Sequence, residues 1–341
     1  MSTEKLAAQM EQIILNRIAH DKLTAATLPQ TAEKVLQVLR DPNFSTKRVV
    51  ALIERDPLLA VQMETIILNR IANDKLTAAT MPQTAEKVLQ ILRDPNFSTK
   101  KVVALIERDP LLAVRLLRVA NSAVYGGGGL ARLDAAVSRL GTQKLRTLLI
   151  DLSARQVFIS KDARIAKASA GIWEHSLAVA LIARDITALS NGGDADGTYL
   201  CGLLHDIGKP LVAVMLLEAE KILAQEQGNA WIGSEAWVQV VNKTHRRVGV
   251  ALAEKWQLPA DVVSGIAESG DYDNSARKSP ANYVRFANAL AKREGFVVGE
   301  VDADEISALI MIGRSLLDLD DEIINKLTAA LKERVTGAMV S

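Results

Sequence analysis

Three of the four histidines in this chain of 341 residues lie beside apolar segments with helical spacing. His205 and Asp206 are adjacent within 200–209, where leucine and isoleucine recur at helical intervals. His175 and His245 begin two further apolar stretches. Because an unpaired charge beside a core is costly, the acid and the imidazoles are expected to bind one another or a metal ion. Imidazoles with one carboxylate suit Fe, Mn, Zn or Ni.

Several sequence blocks around these residues follow one another in a recognisable order. They are MPQ at 81–83, DPLL at 109–112, VANSAVYG at 119–126, AAVSRLG at 135–141, LCGLLHDIGK at 200–209 and WQLP at 256–259. Over about residues 80 to 290, the chain resembles the HDOD family, the HD-related output domain of bacterial signalling proteins. That family is a branch of the HD superfamily of metal-dependent phosphohydrolases.

The resemblance implies a set of metal ligands. The HD pattern of His, then His-Asp, then a distant Asp places the first three ligands at His175, His205 and Asp206. In an active enzyme, Asp206 and Lys209 would be the catalytic residues, with Lys209 as a compact positive charge near a phosphate. The ion would be a divalent metal (Fe, Mn, Zn, Ni or Mg), which activates water and polarises the phosphoryl oxygen.

The last ligand departs from the family pattern. Asn288 stands at the position of the distant Asp, and a neutral amide coordinates only weakly through its oxygen. His245 matches a ligand position of the related HD-GYP phosphodiesterases and could replace that acid, although the rest of their signature is absent. The alternative is that His175, His205 and His245 are hydrogen-bonded core histidines left from an enzymatic ancestor.

Two functions therefore remain open. The first is a regulatory signalling module with a degenerate metal site, which binds protein partners of a signalling pathway or a small nucleotide-like ligand. The second is a metal-dependent phosphohydrolase (a phosphodiesterase) acting on a nucleotide-type phosphoester. Asn288 favours the first, whereas the remaining ligands and Lys209 favour the second.

A long repeat occupies the beginning of the chain. Residues 10–61 recur at 63–114 with five differences, one of which replaces His20 by Asn73, so His20 is not expected to be a ligand. The first copy lacks the continuation after residue 114 that the family pattern requires. We interpret it as a partial duplicate rather than a solenoid unit, since solenoids normally need three or more repeats. Exchange of the duplicated helices between chains would form a homodimer.

The resemblance and the helical periodicity together predict an all-α, HD-domain-like multi-helix bundle. The predicted divisions are a partial duplicate at 1–62, an N-terminal helical subdomain at 63–160, an HD-like subdomain at 161–295 and a C-terminal helical segment at 296–341. Helices are expected at 131–159 (two), 165–190, 197–208, 235–255, 281–293 and 304–336.

Composition narrows the classes of function. The net charge of +1 and the absence of a basic stripe argue against nucleic acid as a partner. We find no run of about eighteen apolar residues, which predicts that no segment spans a membrane. One cysteine, Cys201, excludes an internal disulfide and fits a cytoplasmic location.

Overall fold

The computed structural model describes residue 67 and residues 81–122, 127–190, 193–227 and 234–340. These residues are helical and contain no strand, which confirms the all-α prediction. The partial duplicate predicted at 1–62 lies outside them. The predicted boundaries near residues 160 and 295 stay predictions.

Thirteen helices occupy the described residues. They are α1 (Gln83–Ile91), α2 (Thr99–Ile106), α3 (Pro110–Ala120), α4 (Leu133–Val157), α5 (Ala163–Leu189), α6 (Ala195–Leu204), α7 (Gly208–Gln227), α8 (Ser234–Lys255), α9 (Ala260–Glu268), α10 (Pro280–Arg293), α11 (Ala303–Leu317), α12 (Asp321–Thr328) and α13 (Leu331–Val340).

By their contacts, the described residues separate into two compact units. One contains the described residues between 81 and 211 and between 245 and 340, and the other contains residue 67 and the described residues between 212 and 244. In the larger unit, α1, α2 and α3 pack on α4, whereas α5 packs against α6, α10, α12 and α13. Helix α5 is therefore the central element of this unit, and its middle turns are almost completely buried.

The helix boundaries of the first elements follow from their sequences. Asp109 caps α3 because its carboxylate accepts a hydrogen bond from the backbone N–H of Leu112 at 3.1 Å, and Pro110 takes the first helical position. Ser98 stands at the N-cap of α2, but its hydroxyl makes no capping hydrogen bond. Pro259 stands at the N-cap of α9.

Helix α4 consists of the two predicted helices joined end to end. They meet at Gly141, whose φ of 71° and ψ of 173° lie in a region that is essentially restricted to glycine. The long segment predicted at 304–336 differs more: it forms α11, α12 and α13. The helical pattern is interrupted where Asp318 and Ala330 take positive φ angles of 56° and 53°.

Close packing of α5 against α6 brings the histidine-bearing segments together. Gly202 lies so near α5 that a Cβ at this position would fall 2.8 Å from the Cα of Ala180. His205 follows directly after α6, and His175 lies within α5. The absence of a side chain at Gly202 therefore allows the two histidines to approach each other.

One stretch has the length and composition of a membrane span. It runs over Ala195–Glu218, and 83% of its most apolar window is buried inside the fold. The turn at 205–207 divides it into α6 and α7. A buried core helix passes the same test of hydropathy, so the absence of a membrane span stays a prediction.

Replacing Gly141 by alanine should lower the free energy of unfolding by about 1–3 kcal/mol, because a Cβ strains this backbone conformation. No atom lies within 4 Å of the added Cβ, so the cost is conformational and not steric. Urea denaturation followed by circular dichroism measures the change. Gly337→Ala is the matched control. Gly337 lies inside α13, and a Cβ added there also meets no atom within 4 Å, so this variant should be as stable as the wild-type protein or more stable. Equal effects at the two positions would contradict the prediction.

Candidate metal centre

The His-Asp pair lies in a tight turn between two helices. Helix α6 ends at Leu204, residues 205–207 form the turn, and α7 begins at Gly208. The helix predicted over 197–208 therefore ends earlier than expected, before His205. Glycine and proline open α7 instead, since proline is tolerated in the first turn of a helix.

Three imidazoles surround the carboxylate of Asp206. Its Oδ2 lies 3.4 Å from Nε2 of His205 and 3.9 Å from Nε2 of His175, and its Oδ1 lies 3.5 Å from Nε2 of His245. All four side chains are buried. The structure thus brings together four of the five predicted metal ligands, from α5, from the turn after α6 and from α8.

Backbone carbonyls fix the orientation of two of these rings. Nδ1 of His205 lies 2.7 Å from the carbonyl oxygen of Gly202, and Nδ1 of His175 lies 2.8 Å from that of Phe296. A carbonyl can only accept a hydrogen bond, so each Nδ1 carries the proton. In the neutral ring of His175, Nε2 then presents a lone pair towards Asp206. Such outer contacts are typical of histidines that bind metals.

Lys209 supplies the positive charge nearest the carboxylate. Its Nζ donates a hydrogen bond to Oδ2 of Asp206 at 2.6 Å, within the first turn of α7. The side chain of Lys209 is 26% exposed, whereas that of Asp206 is 5% exposed. The ammonium therefore connects the buried acid with the surface.

A close backbone approach holds His245 in the cluster. The carbonyl oxygen of His245 would lie only 1.8 Å from a Cβ added to Gly208, so no residue with a side chain fits there without moving α7 or α8. Gly208 follows the turn directly and is needed for steric reasons. It belongs to the block at 200–209, but the sequence gave no indication that it contacts the backbone of His245.

The pKa values of His175 and Asp206 are both lowered, but for different physical reasons. Burial, with a smaller contribution from His205, lowers the pKa of His175 to about 3. Burial alone would raise the pKa of Asp206, but the adjoining His205 and Lys209 outweigh it and hold that pKa well below its usual range. At neutral pH, His175 is therefore neutral and Asp206 is ionised.

Asn288, the fifth predicted ligand, is placed differently. Its Oδ1 is buried and has no hydrogen-bond partner in the described part of the chain. No ion pair or hydrogen bond joins it to the other four residues. Asn288 contributes an unsatisfied acceptor on α10, and its role as a ligand stays a prediction.

The donor set fits a divalent cation. Ligand atoms of His175, His205 and Asp206 lie within 4.8 Å of one another, so small shifts would bring all three within about 2.0–2.2 Å of one ion. Nε2 of His205 is buried without a hydrogen-bond partner. A buried ring nitrogen that has no hydrogen-bond partner beside an ionised carboxylate is unfavourable unless a positive charge lies between them. These three residues, with His245 beside them, would hold the metal.

Solved structures with this fold come from bacterial proteins. A candidate metal-dependent phosphohydrolase from Shewanella amazonensis SB2B has a TM-score of 0.61 at 21% identity, over 81% of this chain and 99% of that one. An HDOD domain protein of unknown function from Geobacter sulfurreducens has a TM-score of 0.53 at 22% identity, over 81% and 96%. The architecture is thus that of HD-like phosphohydrolases.

The family is shown by the sequence. The HDOD domain model matches residues 78–272, so the chain belongs to the HDOD domain family, as predicted. An uncharacterized protein of Treponema pallidum (strain Nichols) is 27% identical over 261 residues, which are 73% of this chain and 48% of that protein. The chain thus spans about half the length of this curated relative.

His175→Asn should flatten the dependence of stability on pH in metal-free protein. The folded-state pKa of His175 is about 3, below the unfolded value of 6.5, so the unfolded state binds more protons as the pH falls through this window. The wild-type protein should lose about 2 kcal/mol through this residue between pH 8 and pH 5.

Asparagine retains an N–H that can reach the carbonyl of Phe296 but does not titrate. Urea unfolding in EDTA gives the free energy of unfolding of wild-type and variant protein at pH 8 and at pH 5. Both pH values lie above the range in which Asp206 titrates. Identical losses in wild-type and variant protein would contradict the assigned protonation of His175.

Proposed function

We propose that this protein is a regulatory HDOD module of bacterial signal transduction, whose HD site binds a divalent metal but turns over phosphoesters poorly or not at all. The observation that carries the proposal is the single carboxylate of the cluster. Asp206 is the one acid that contacts the three imidazoles in the described residues, and Asn288 supplies an amide where the HD pattern has an acid. Binding of a protein or small ligand, rather than hydrolysis, would transmit the signal.

The charge balance supports this proposal. An ion that carries two positive charges would face one carboxylate, which is already hydrogen-bonded to Lys209. Neutral imidazoles donate lone pairs but add no negative charge. Such a site can hold an ion. The HD family pattern, however, has a second acid, the distant Asp, and this implies that activation of water depends on both acids.

The second candidate is a metal-dependent phosphohydrolase acting on a nucleotide-type phosphoester. It is favoured by the buried group of His175, His205 and Asp206, which could hold one ion, and by the adjacent, partly exposed Lys209. In that case His245 would compensate for the missing acid. The two candidates share the metal and differ in turnover.

Metal content and hydrolysis measured on the same protein separate the two candidates. We expect protein purified without chelator to contain about one transition metal ion per chain, and the paired change His205→Ala with Asp206→Ala to remove it. A phosphodiesterase assay with bis(p-nitrophenyl) phosphate and added Mn²⁺ or Fe²⁺ should show no turnover above that paired variant. Hydrolysis that the paired variant abolishes would establish the enzyme and refute the regulatory proposal.

Asn288→Asp is the matched gain-of-charge variant for the same experiment. An acid at 288 would restore the HD pattern, so metal should be retained about tenfold more tightly against a competing chelator, as expected for one added charged ligand. Unchanged retention would mean that position 288 does not reach the ion. The amide at 288 would then no longer support a degenerate site.

A homodimer formed through the repeated segment is the second part of the proposal. Residues 81–114 pack on α4 through buried side chains, and the first copy has the same residue type at each of these positions except that Leu28 corresponds to Met81. The identical buried positions are Ala85, Val88, Leu89, Leu92, Val102, Ile106 and Leu112, which correspond to residues 32, 35, 36, 39, 49, 53 and 59. The first copy of one chain can thus replace the second copy on α4 of its partner.

Leu36→Asp should therefore convert the dimer into a monomer, because it introduces a charge at the equivalent of buried Leu89. Light scattering coupled to size-exclusion chromatography of the full chain measures the mass. Arg48→Glu is the control, since its counterpart Lys101 is exposed. A monomeric wild-type chain at all concentrations would rule out exchange.

A further inference from the structure

A cavity of about 230 Å³ lies between α1 and the C-terminal end of α8. Its lining includes Met81 from the sequence block at 81–83, and Trp256 and Gln257 from the block at 256–259. Neither block contributes to the metal centre. The end of α8 is about 15 Å along the helix from His245, so the cavity is separate from the metal ligands. Pockets for drug-sized ligands span about 300–1,000 Å³, so this cavity suits a smaller molecule.

The floor of this cavity is apolar. Met81, Leu89 and Trp256 line it, and each of these residues is only 8% exposed. An apolar group that covers this floor leaves water, which is favourable. The indole of Trp256 also provides an aromatic surface against which another ring can pack. The floor therefore favours a large apolar or aromatic side chain.

Gln257 has a backbone conformation that residues other than glycine rarely adopt. Its φ is 53°, and it follows the end of α8, where the N–H of Leu258 donates to the carbonyl of Ala253 at 2.9 Å. Glycine is the usual residue at this position of a helix end, because it has no Cβ. The guanidinium of Arg93 donates to the side-chain amide oxygen of Gln257 and to its backbone carbonyl. Residues in strained conformations cluster where ligands bind, and this one orients Arg93 at the cavity.

Arg93 and Glu86 place opposite charges at the rim of the cavity. Both are exposed, and neither forms an ion pair within the part of the chain that the structure describes. A guanidinium has five N–H donors, and Gln257 accepts from two of them, so three remain for a ligand. Lys255 also lies at the rim, but it is already engaged in another contact. The rim thus offers one oriented cation and one anion beside the apolar floor.

We propose that this cavity binds a free α-amino acid with a large apolar side chain, such as L-phenylalanine. The side chain would cover the floor, the carboxylate would accept hydrogen bonds from Arg93, and the ammonium would donate to Glu86. A zwitterion matches both charges of the rim, whereas either end of a peptide supplies only one of them. This inference goes beyond the proposed function, since it assigns a second ligand site that involves no metal.

Calorimetric titration of the full chain with L-phenylalanine tests the proposal. We expect saturable binding. Binding of 3-phenylpropionate, which lacks the ammonium, and of phenethylamine, which lacks the carboxylate, should each be about tenfold weaker, because one charge-assisted hydrogen bond is lost. L-Serine has both charges but no apolar side chain and should not bind measurably. Because no turnover is followed, the result does not depend on whether the metal centre is occupied or active.

Gln257→Gly separates ligand binding from folding. Glycine takes this backbone conformation without strain, so the fold should be retained, but the amide that orients Arg93 is lost. We expect phenylalanine to bind about fivefold more weakly, as for the loss of one hydrogen bond. Ala330→Gly is the matched control: Ala330 has the same φ of 53° and does not line the cavity, so binding should be unchanged.

Arg93 has a counterpart, Arg40, in the first copy of the repeat, so Arg93→Gln is combined with Arg40→Gln. This paired variant should bind phenylalanine about tenfold more weakly, while binding of phenethylamine, which has no carboxylate, should not change. Three results would each overturn the proposal: no saturable binding of phenylalanine to the wild-type chain, binding of 3-phenylpropionate as tight as that of phenylalanine, or equal effects of Gln257→Gly and Ala330→Gly.

Discussion

The burial of one ionised carboxylate is the constraint on which the site depends. Asp206 is almost inaccessible to water, and a charge in such surroundings is costly unless neighbours compensate for it. One direct hydrogen bond from Lys209 meets part of that cost. The three imidazoles lie on its remaining sides, with their Nε2 atoms 3.4 to 3.9 Å from the carboxylate oxygens. One acid with three imidazoles is a donor set that suits a divalent cation.

The surrounding helices hold this arrangement by backbone contacts more than by side chains. Gly202 permits α6 to approach α5, and Gly208 permits the start of α7 to approach the backbone at His245. The carbonyl oxygens of Gly202 and Phe296 set the orientation of two rings. Since these determinants are backbone atoms, most of the residues that shape the site have no chemically distinctive side chain.

This explains which features the sequence could predict. The family, the all-α fold and the proximity of His175, His205 and Asp206 followed from motifs whose order is visible in one chain. The turn at 205–207 was wrongly assigned to a helix, because apolar periodicity continues through it at Ile207. The prediction of continuous helix over 304–336 was also wrong. Asp318 and Ala330 interrupt it with positive φ angles, and no glycine in the sequence indicates these positions.

The contact between His175 and the carbonyl of Phe296 has a mechanical consequence. Phe296 follows α10 and precedes α11, so its position depends on how these two helices are joined. A partner that displaced this junction by an ångström would turn the imidazole of His175 or break its hydrogen bond. The affinity for an ion in the interior would then respond to an event at the periphery, and by reciprocity ion occupancy would alter how readily the junction moves.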